Sequence, residues 1–506
     1  MEQEIKVHWL DRAVGYVWPA AGYRMAFARW QLNHFVKNYD AARKDNLWMN
    51  WMARNQPGEL QDANYRQLMI ARCRDLERNS DTANSIILAI LRNVVGKGMQ
   101  LQARVRSPSS DQMDEKTIKK LEEYWRDFIL KNNCDITGMN SFKKFCEMIE
   151  RRKTFDGEIF LIEVYDKDSK EFPYKLQMME FDQLDMSRTE NNGNRIYSGI
   201  EVDSYNRPVA YWFQRLDLMG IPQSQPERIP ADRVIHLAHR TRSTQIHGIP
   251  RIAQSVSKIR DIDSYLEAEN VKSKLAACFG IAITTNNTQG PQIPGKMNQQ
   301  TGFNELEIAP GMIARLGPNE SLQVVAPNLP TQMGEYTMIN MRAISSGQGF
   351  SYEQISRDYS QTNYSSARVG LIEDQKTFSQ MQDDLKDDFC IPVYKKAIEA
   401  GVLAGAIDLK DFSQEKRRYL EHKWIPPGWS WVDPLKEVQA YQIALALGLT
   451  TLEEIAANQG KDWAEQLKQR AREVEEAERL GLDIVPYPNK EREVIDGDEE
   501  SKKSAS

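Results

Sequence analysis

The sequence predicts an α+β fold divided into several lobes, and three observations carry that expectation. Long stretches before residue 155 and after residue 331 repeat their apolar residues at three- and four-residue spacings, the period of one helix face. Between them, Glu158 to His239 reads as β-branched and aromatic runs separated by the turns Asn191-Asn-Gly-Asn194 and Ser204-Tyr-Asn-Arg-Pro208. A small module rich in Asn, Gln, Gly and Pro, residues 280–330, is inserted between two helical segments.

At 506 residues and 41% apolar content the chain can bury a sizeable core. No run approaches the ~18 apolar residues of a membrane helix, so no membrane partner is expected. The N-terminal Met-Glu-Gln-Glu-Ile-Lys lacks a basic region followed by an apolar core, which argues against secretion. Five scattered cysteines without a CxxC argue against a disulfide framework or a cysteine zinc site and fit a reducing cytoplasm. A net charge of −6 and a pI of about 5.8 exclude a strong footprint for non-specific nucleic-acid binding. DNA as a transient passenger remains compatible, because each neutralised phosphate would add friction.

Residues 1–60 hold Trp9, Trp18, Trp30, Trp48 and Trp51 beside Tyr16, Tyr23, Phe27, Phe35 and Tyr39, a density that reads as a docked, buried or interfacial arm. Interleaved arginines and lysines leave single-strand stacking as the less favoured reading. Residues 61–105 read as helix, helix and short strand, with an N-cap among Asn79, Ser80 and Asp81 and a stop at Gly96-Lys-Gly98. That GxG follows a helix, so it is a C-terminal cap and not a dinucleotide fingerprint. Helical pattern covers 112–153, marked by Leu121, Trp125, Phe128, Phe142, Phe145 and Ile149. Strands are expected at 158–165, 175–181, 196–202, 209–213 and 233–239, as one antiparallel meander.

Residues 251–279 predict a long helix of roughly 40 Å, with Ile252, Val256, Ile259, Ile262, Leu266, Val271, Leu275 and Phe279 on one side. Lys258, Arg260, Asp261, Asp263, Glu267, Glu269, Lys272 and Lys274 occupy the rest, a mixture suited to contact with another copy. Helix resumes over 331–346. Gly347 and Gly349 are expected to break it and open a polar loop that ends at the helix-capping residues Asn363, Ser365 and Ser366. From Ala367, Leu371, Ile372, Phe378, Met381, Leu385 and Phe389 mark the next helix, which Pro392 should interrupt. Helices follow at about 393–406, 435–447, 452–458 and 461–480, before a charged tail expected to be disordered.

Two clusters tempt a chemical reading. His236, His239 and His247 invite a metal, but strand neighbours three apart point to opposite faces, so structural histidines are expected. Asp383, Asp384, Asp387 and Asp388 form i,i+4 pairs that would converge on Mg²⁺ in a metal-dependent nuclease. Acidic solvated faces are commoner, and neither a phosphate loop nor a nucleophile elbow accompanies them. No cofactor, metal or catalytic residue is expected.

The words Arg74-Asp-Leu-Glu-Arg-Asn79, Val94-Val-Gly-Lys-Gly98, Asp156-Gly-Glu158, Gly248-Ile-Pro-Arg251, Ser356-Arg-Asp-Tyr-Ser-Gln-Thr-Asn-Tyr-Ser-Ser-Ala-Arg368, Trp431-Val-Asp-Pro434-Leu-Lys-Glu437 and Gly448-Leu-Thr-Thr-Leu452 occur in that order. Together they resemble the lambda-type portal proteins of tailed bacteriophages and prophages, over about 60–482. The resemblance implies a portal fold: a wing at 1–250, stem helices at 251–279 and 331–346 flanking a clip at 280–330, and a tunnel loop at 347–363. It further implies a long wing helix at 364–399, a helical crown at 400–485 and an acidic tail at 486–506. It implies a homo-oligomeric ring, usually of twelve, at a capsid vertex of the virion, assembled in the bacterial cytoplasm. Double-stranded DNA would pass through it without sequence specificity. The implied partners are the terminase large subunit, head-completion or connector proteins, and major capsid and scaffolding proteins. Tyr352, Arg357, Tyr359, Gln361 and Asn363 are the candidate DNA-channel residues, and the eight charged residues from Lys258 to Lys274 the candidate subunit interface. A different head–tail connector ring is the remaining structural alternative, although such proteins would be shorter and lack a clip between helices.

Overall fold

The computed structural model describes residues 9–35, 55–108, 112–217, 219–223, 225–277, 280–285, 296–297, 304–305, 320–325, 333–430 and 433–482. Two units, Met1–Leu60 and Gln61–Ser506, divide the chain. In the first, α1 (Trp9–Val17) and α2 (Pro19–Phe35) form a hairpin. Gly15 and Gly22 permit its close seam, since a Cβ on Gly22 would lie 2.4 Å from Gly15 Cα. Two helices share one seam only, so Trp9, Tyr16, Trp18 and Tyr23 point away from it and are exposed. The other three tryptophans of this region lie among residues whose side chains or backbone fall outside the described set.

α3 (Gly58–Ala63) leads into the second unit, where α4 (Arg66–Asn79) and α5 (Asp81–Ile90) meet at Ser80, whose side chain accepts from the Ala83 N–H. A π-helical turn, Leu91–Val95, precedes the expected glycine stop, where Gly96 and Gly98 both take positive φ. β1 (Gln100–Ala103) follows, then α6 (Glu115–Phe128), α7 (Lys131–Cys134) and α8 (Phe142–Phe155). Trp125 of α6 packs edge-on against Phe142, Tyr394 and Trp424 within 5.0–5.7 Å, which joins early and late parts of the chain in one core.

The strand block forms two sheets, not one meander. β2 (Glu158–Tyr165) is the centre of a three-stranded antiparallel sheet, between β3 (Tyr174–Met179) and a strand from much later in the chain. β4 (Glu190–Asn191), β5 (Asn194–Tyr197), β6 (Ile200–Val202), β7 (Pro208–Phe213) and β8 (Glu227–Pro230) form the separate five-stranded meander. The run 196–202, expected as one strand, is two. Ser198 and Gly199 both adopt positive φ, the tight-hairpin geometry, and turn the chain back. β9 (Val234–Ala238) then returns to pair with β2.

α9 (Val256–Ala277) and α10 (Met333–Gln348) are antiparallel, with Gln348 beside Ser255 at one end and the Tyr265 ring 4.5 Å from the Tyr336 ring, tilted to it by 47°, further along. Only the first half of α9 is packed. Ile252, Ile259 and Ile262 are buried, but Val271, placed on the same stripe by sequence, is 49% exposed. Beyond the hairpin, β10 (Gly280–Thr285) pairs with β13 (Glu320–Val325), and β11 (Lys296–Met297) with β12 (Asn304–Glu305). The rest of 280–330, Phe279 and the tail from 483 lie outside the described residues.

Gly347 does not break α10, which runs through it to Gln348. A five-residue helix, α11 (Tyr352–Ser356), occupies part of the expected loop. α12 (Tyr364–Leu385) passes through a π-helical turn, Lys386–Cys390, into α13 (Ile391–Leu403). Pro392 does not stop this helix: the Ile391 N–H reaches back to the Lys386 carbonyl, and the widened turn accommodates the ring. Ile372, expected on the apolar face of α12, is exposed; Asp374 and Gln382 are buried there instead. α14 (Phe412–Tyr419), β14 (His422–Ile425), α15 (Pro434–Ala446), α16 (Leu452–Asn458) and α17 (Trp463–Leu480) complete the chain. β14, not foreseen in the sequence, pairs with β1 and ties the C-terminal helices to the body.

One junction positions the α9–α10 hairpin. Gly157, at the start of β2, has φ +90, and a Cβ there would lie 2.4 Å from the Ile249 carbonyl carbon; a Cβ on Gly248 would meet the Gly157 oxygen at 2.1 Å. On either side of this backbone contact sits a buried carboxylate. Asp156 accepts from Arg74 Nε and Nη2 at 2.8 and 2.9 Å and from Arg152 Nη1 at 3.2 Å. Glu158 accepts from His236 Nε2 at 2.8 Å, His247 Nδ1 at 2.6 Å and the Gly248 N–H at 2.9 Å. The other ring nitrogen of His247 lies 2.8 Å from the Tyr197 carbonyl oxygen. His239 Nδ1 instead lies 3.1 Å from the Ile249 carbonyl, so the histidines are committed to structural bonds. Arg251, which opens the turn into α9, pairs with buried Glu150 at 3.3 Å.

Burial raises the Glu158 carboxyl, but His247 and His236 outweigh it and hold it well below its ordinary 4.5. Burial lowers His236 below its ordinary 6.5 in spite of Glu158. Both shifts have the same sign for stability: the unfolded chain binds protons that the folded chain resists, so stability is lost as pH falls. The loss begins below about pH 6.5 through His236 and continues below about pH 4.3 through Glu158. Urea midpoints measured from pH 7 to pH 4 are expected to fall, and His236→Gln to flatten the upper part of that profile. Gly157→Ala is expected to cost at least about 3 kcal/mol in the same assay, from strain and overlap with backbone that cannot move aside.

Candidate DNA-channel segment and its supports

The segment after α10 is firmly held at its root. Gln348 is buried and its Nε2 donates to Ser255 Oγ at 3.1 Å, which pins the end of α10 to the start of α9. Gly349 turns the chain at φ +78. Phe350 is buried and stacks on Phe378 of α12 at 4.9 Å. Ser351 donates its N–H to Asp374 Oδ1 at 2.7 Å and its hydroxyl to Oδ2 at 2.5 Å, and its Oγ caps α11 by accepting from the Gln354 N–H. Thr377 Oγ1 donates to the Gly349 carbonyl at 3.0 Å. Burial pushes the Asp374 carboxyl up, opposed by the Ser351 bonds.

Past this root the chain rises into solvent. Ile355 is the buried residue of α11, and Arg357 ends that helix in the left-handed region at φ 58, a conformation disfavoured for a side-chain-bearing residue. The descending limb is braced locally: the Ser360 N–H donates to Asp358 Oδ1 at 3.0 Å and Thr362 Oγ1 to Glu353 Oε1 at 2.5 Å. Asn363 Oδ1 caps α12 by accepting from the Ser366 N–H at 2.8 Å.

The five candidate residues therefore separate. Arg357, Tyr359 and Gln361 are exposed on the tip. Asn363 is exposed, but its oxygen is used by the α12 cap. Tyr352 is half-buried, with the Arg342 guanidinium 5.5 Å over its ring and its hydroxyl donating to Asp358 at 3.4 Å. Sequence reasoning missed the supports Gln348, Phe350, Asp374 and Thr377. Asp374 carried a usable signal, because it lies three residues after Leu371 and four before Phe378, on an otherwise apolar helix face.

On α9, Lys258, Arg260, Asp261, Glu267 and Lys274 are exposed, Glu269 and Lys272 pair with each other at 3.2 Å, and Asp263 is half-buried near Ser80. The acidic run on the long helix is organised by a cation of the chain itself. Lys386 Nζ lies 2.5 Å from Asp383 Oδ1 and 3.6 Å from Asp387 Oδ1, between the carboxylates a metal would have to join. Among the described residues no group of three or more His, Cys, Asp or Glu side chains is placed to hold a metal ion, and no helix is long and apolar enough to cross a membrane.

The family model for phage portal proteins of the lambda family matches residues 44–382. The chain belongs to that family. It is a portal protein of the phage capsid vertex, a structural connector and not an enzyme. The probable portal protein of Halomonas phage phiHAP-1 is 23% identical over 461 residues, covering 88% of each chain. Portal protein B of Escherichia phage lambda is 22% identical over 452 residues, covering 81% of this portal protein and 84% of the relative. Among solved structures, the neck of an empty GTA particle computed with C6 symmetry aligns with a TM-score of 0.42 and 12% identity, over 77% of this chain and 93% of that one.

Asp374→Ala would strand the Ser351 N–H and hydroxyl. It is expected to cost about 1–3 kcal/mol in urea unfolding and to speed amide exchange at 350–356, with α17 unaffected.

Proposed function

We propose that this portal protein assembles as a homo-oligomeric ring of twelve copies whose tunnel loops, residues 347–363, face the channel and touch passing DNA with their exposed tips. The observation that carries this reading is the pairing of a rigid root with an exposed tip at the head of the antiparallel α9–α10 hairpin. Arg357 offers one positive charge per copy, and Tyr359 and Gln361 offer hydrogen bonds that do not read base sequence. Single cations on an acidic chain give weak, salt-sensitive phosphate contact, which suits a duplex that must slide.

The remaining assignments follow the same reading. α9 and α10 serve as the stem, and the exposed charges Lys258, Arg260, Asp261, Glu267 and Lys274 meet complementary charges on the neighbouring copy, with Asp263, Glu269 and Lys272 beside them. The strand pairs β10–β13 and β11–β12 belong to a clip at 280–330 that docks the terminase large subunit and later the head-completion or connector proteins. Residues 1–250 and 364–399 act as the wing, toward major capsid and scaffolding proteins, and 400–485 as the crown.

Electron microscopy of the purified protein is expected to show rings with a central hole; a compact monomer at micromolar concentration overturns the ring. The triple variant Arg357→Ala/Tyr359→Ala/Gln361→Ala is expected to form normal rings yet give a several-fold lower yield of packaged, retained DNA. Unchanged yield with those rings would remove the segment from the channel.

A further inference from the structure

From Val438 to Leu452 the sequence carries no charged residue, yet no residue of that stretch is buried. α15 and the turn after it stand out from the main unit with an apolar surface: Leu435, Ile443, Leu447 and Leu449 keep 70%, 61%, 68% and 76% of their area in solvent. Val438 and Leu447 lie about two and a half turns apart, on opposite sides of the helix, and both are exposed. A helix this apolar around its girth is a buried helix, and exposed apolar patches of this kind mark interaction surfaces.

The surface continues onto α12. Arg368 Nη2 lies 3.9 Å from Glu437 Oε1, which sets the first turn of α15 beside the outward face of α12, where Val369 and Ile372 are exposed. Lys436 and Glu437 precede the uncharged stretch and Glu453 and Glu454 follow it, so the patch has an apolar centre and a charged rim, the anatomy of a protein interface. Together the stretch and the α12 face amount to roughly 20 residues, about one side of a standard interface.

The occupant follows from the two-sidedness. DNA asks for cations, and the stretch has none. A ring built by one repeated head-to-tail contact gives every copy two neighbours, one on each side, and a helix with opposed apolar edges meets both. We propose that α15 and Val438–Leu452, continued by Val369 and Ile372 of α12, form a contact between adjacent copies of this chain. The proposal rests on the ring reading above.

The test is the double variant Ile443→Glu/Leu447→Glu of the full chain, compared with wild type by native mass spectrometry and thermal unfolding. Both side chains are exposed in the single chain, so the variant is expected to keep the wild-type unfolding transition of the monomer while its ring population falls at least about tenfold, the effect of 1.4 kcal/mol or more. Hydrogen exchange on wild-type rings is expected to be slower at 438–452 than on the dilute monomer, which decides the matter even if the variant does not fold. Wild-type rings from the folded variant, or equal exchange in ring and monomer, overturn this contact and leave the ring standing. Slow exchange that appears only when a head protein is added assigns the face to that protein and overturns it too. Absence of rings from the wild type removes both readings.

Discussion

The close approach between the backbones of Gly157 and Gly248 is the constraint on which the rest of the architecture depends. Two peptide segments separated by some ninety residues touch without any side chain between them, which only glycine allows at these positions. The contact is flanked by Asp156 and Glu158, whose arginine and histidine partners come from α4, α8, β9 and the 240s segment. Buried ion pairs add little net stability but are costly to break singly. Their effect here is registration: the helix–sheet layer and the start of α9 meet in one arrangement only.

From that junction the geometry propagates outward through short, well-packed links. Arg251 joins Glu150, Gln348 joins Ser255, and Phe350 stacks on Phe378. Two π-helical turns, Leu91–Val95 and Lys386–Cys390, widen their helices where other elements cross. Gln382 uses one of the carbonyls near the first of them, donating to Asn93 at 2.7 Å. The exposed tip at 357–363 thus begins from a root tied by the Ser351–Asp374 and Gln348–Ser255 bonds and by the Phe350–Phe378 stack. On the proposed function, this division between a supported root and an exposed tip suits a connector that lets a polymer slide.

Five of the seven words that marked the family in the sequence are neighbours in space. Arg74, Asp156-Gly-Glu158 and Gly248-Ile-Pro-Arg251 all meet at the glycine junction, and Arg368 faces Glu437 across α12 and α15. Each word was weak alone because its partner lies far along the chain. Asp374 interrupts an apolar helix face, which is a local signal, but the group it holds, Ser351, is identified only when the folded chain brings the two together.

The sequence by itself determined the α+β class, the edges of β2, an N-cap among Asn79, Ser80 and Asp81, and another among Asn363, Ser365 and Ser366. These depend on period, turn chemistry and capping, which act over a few residues. Tertiary structure alone decided that the strand block is two sheets, that β14 pairs with β1, that Pro392 sits inside a continuing helix, and that Ile372 and Val271 face outward. Those outcomes depend on which surfaces find partners across hundreds of residues, and an apolar stripe carries no record of whether its cover lies in the same chain.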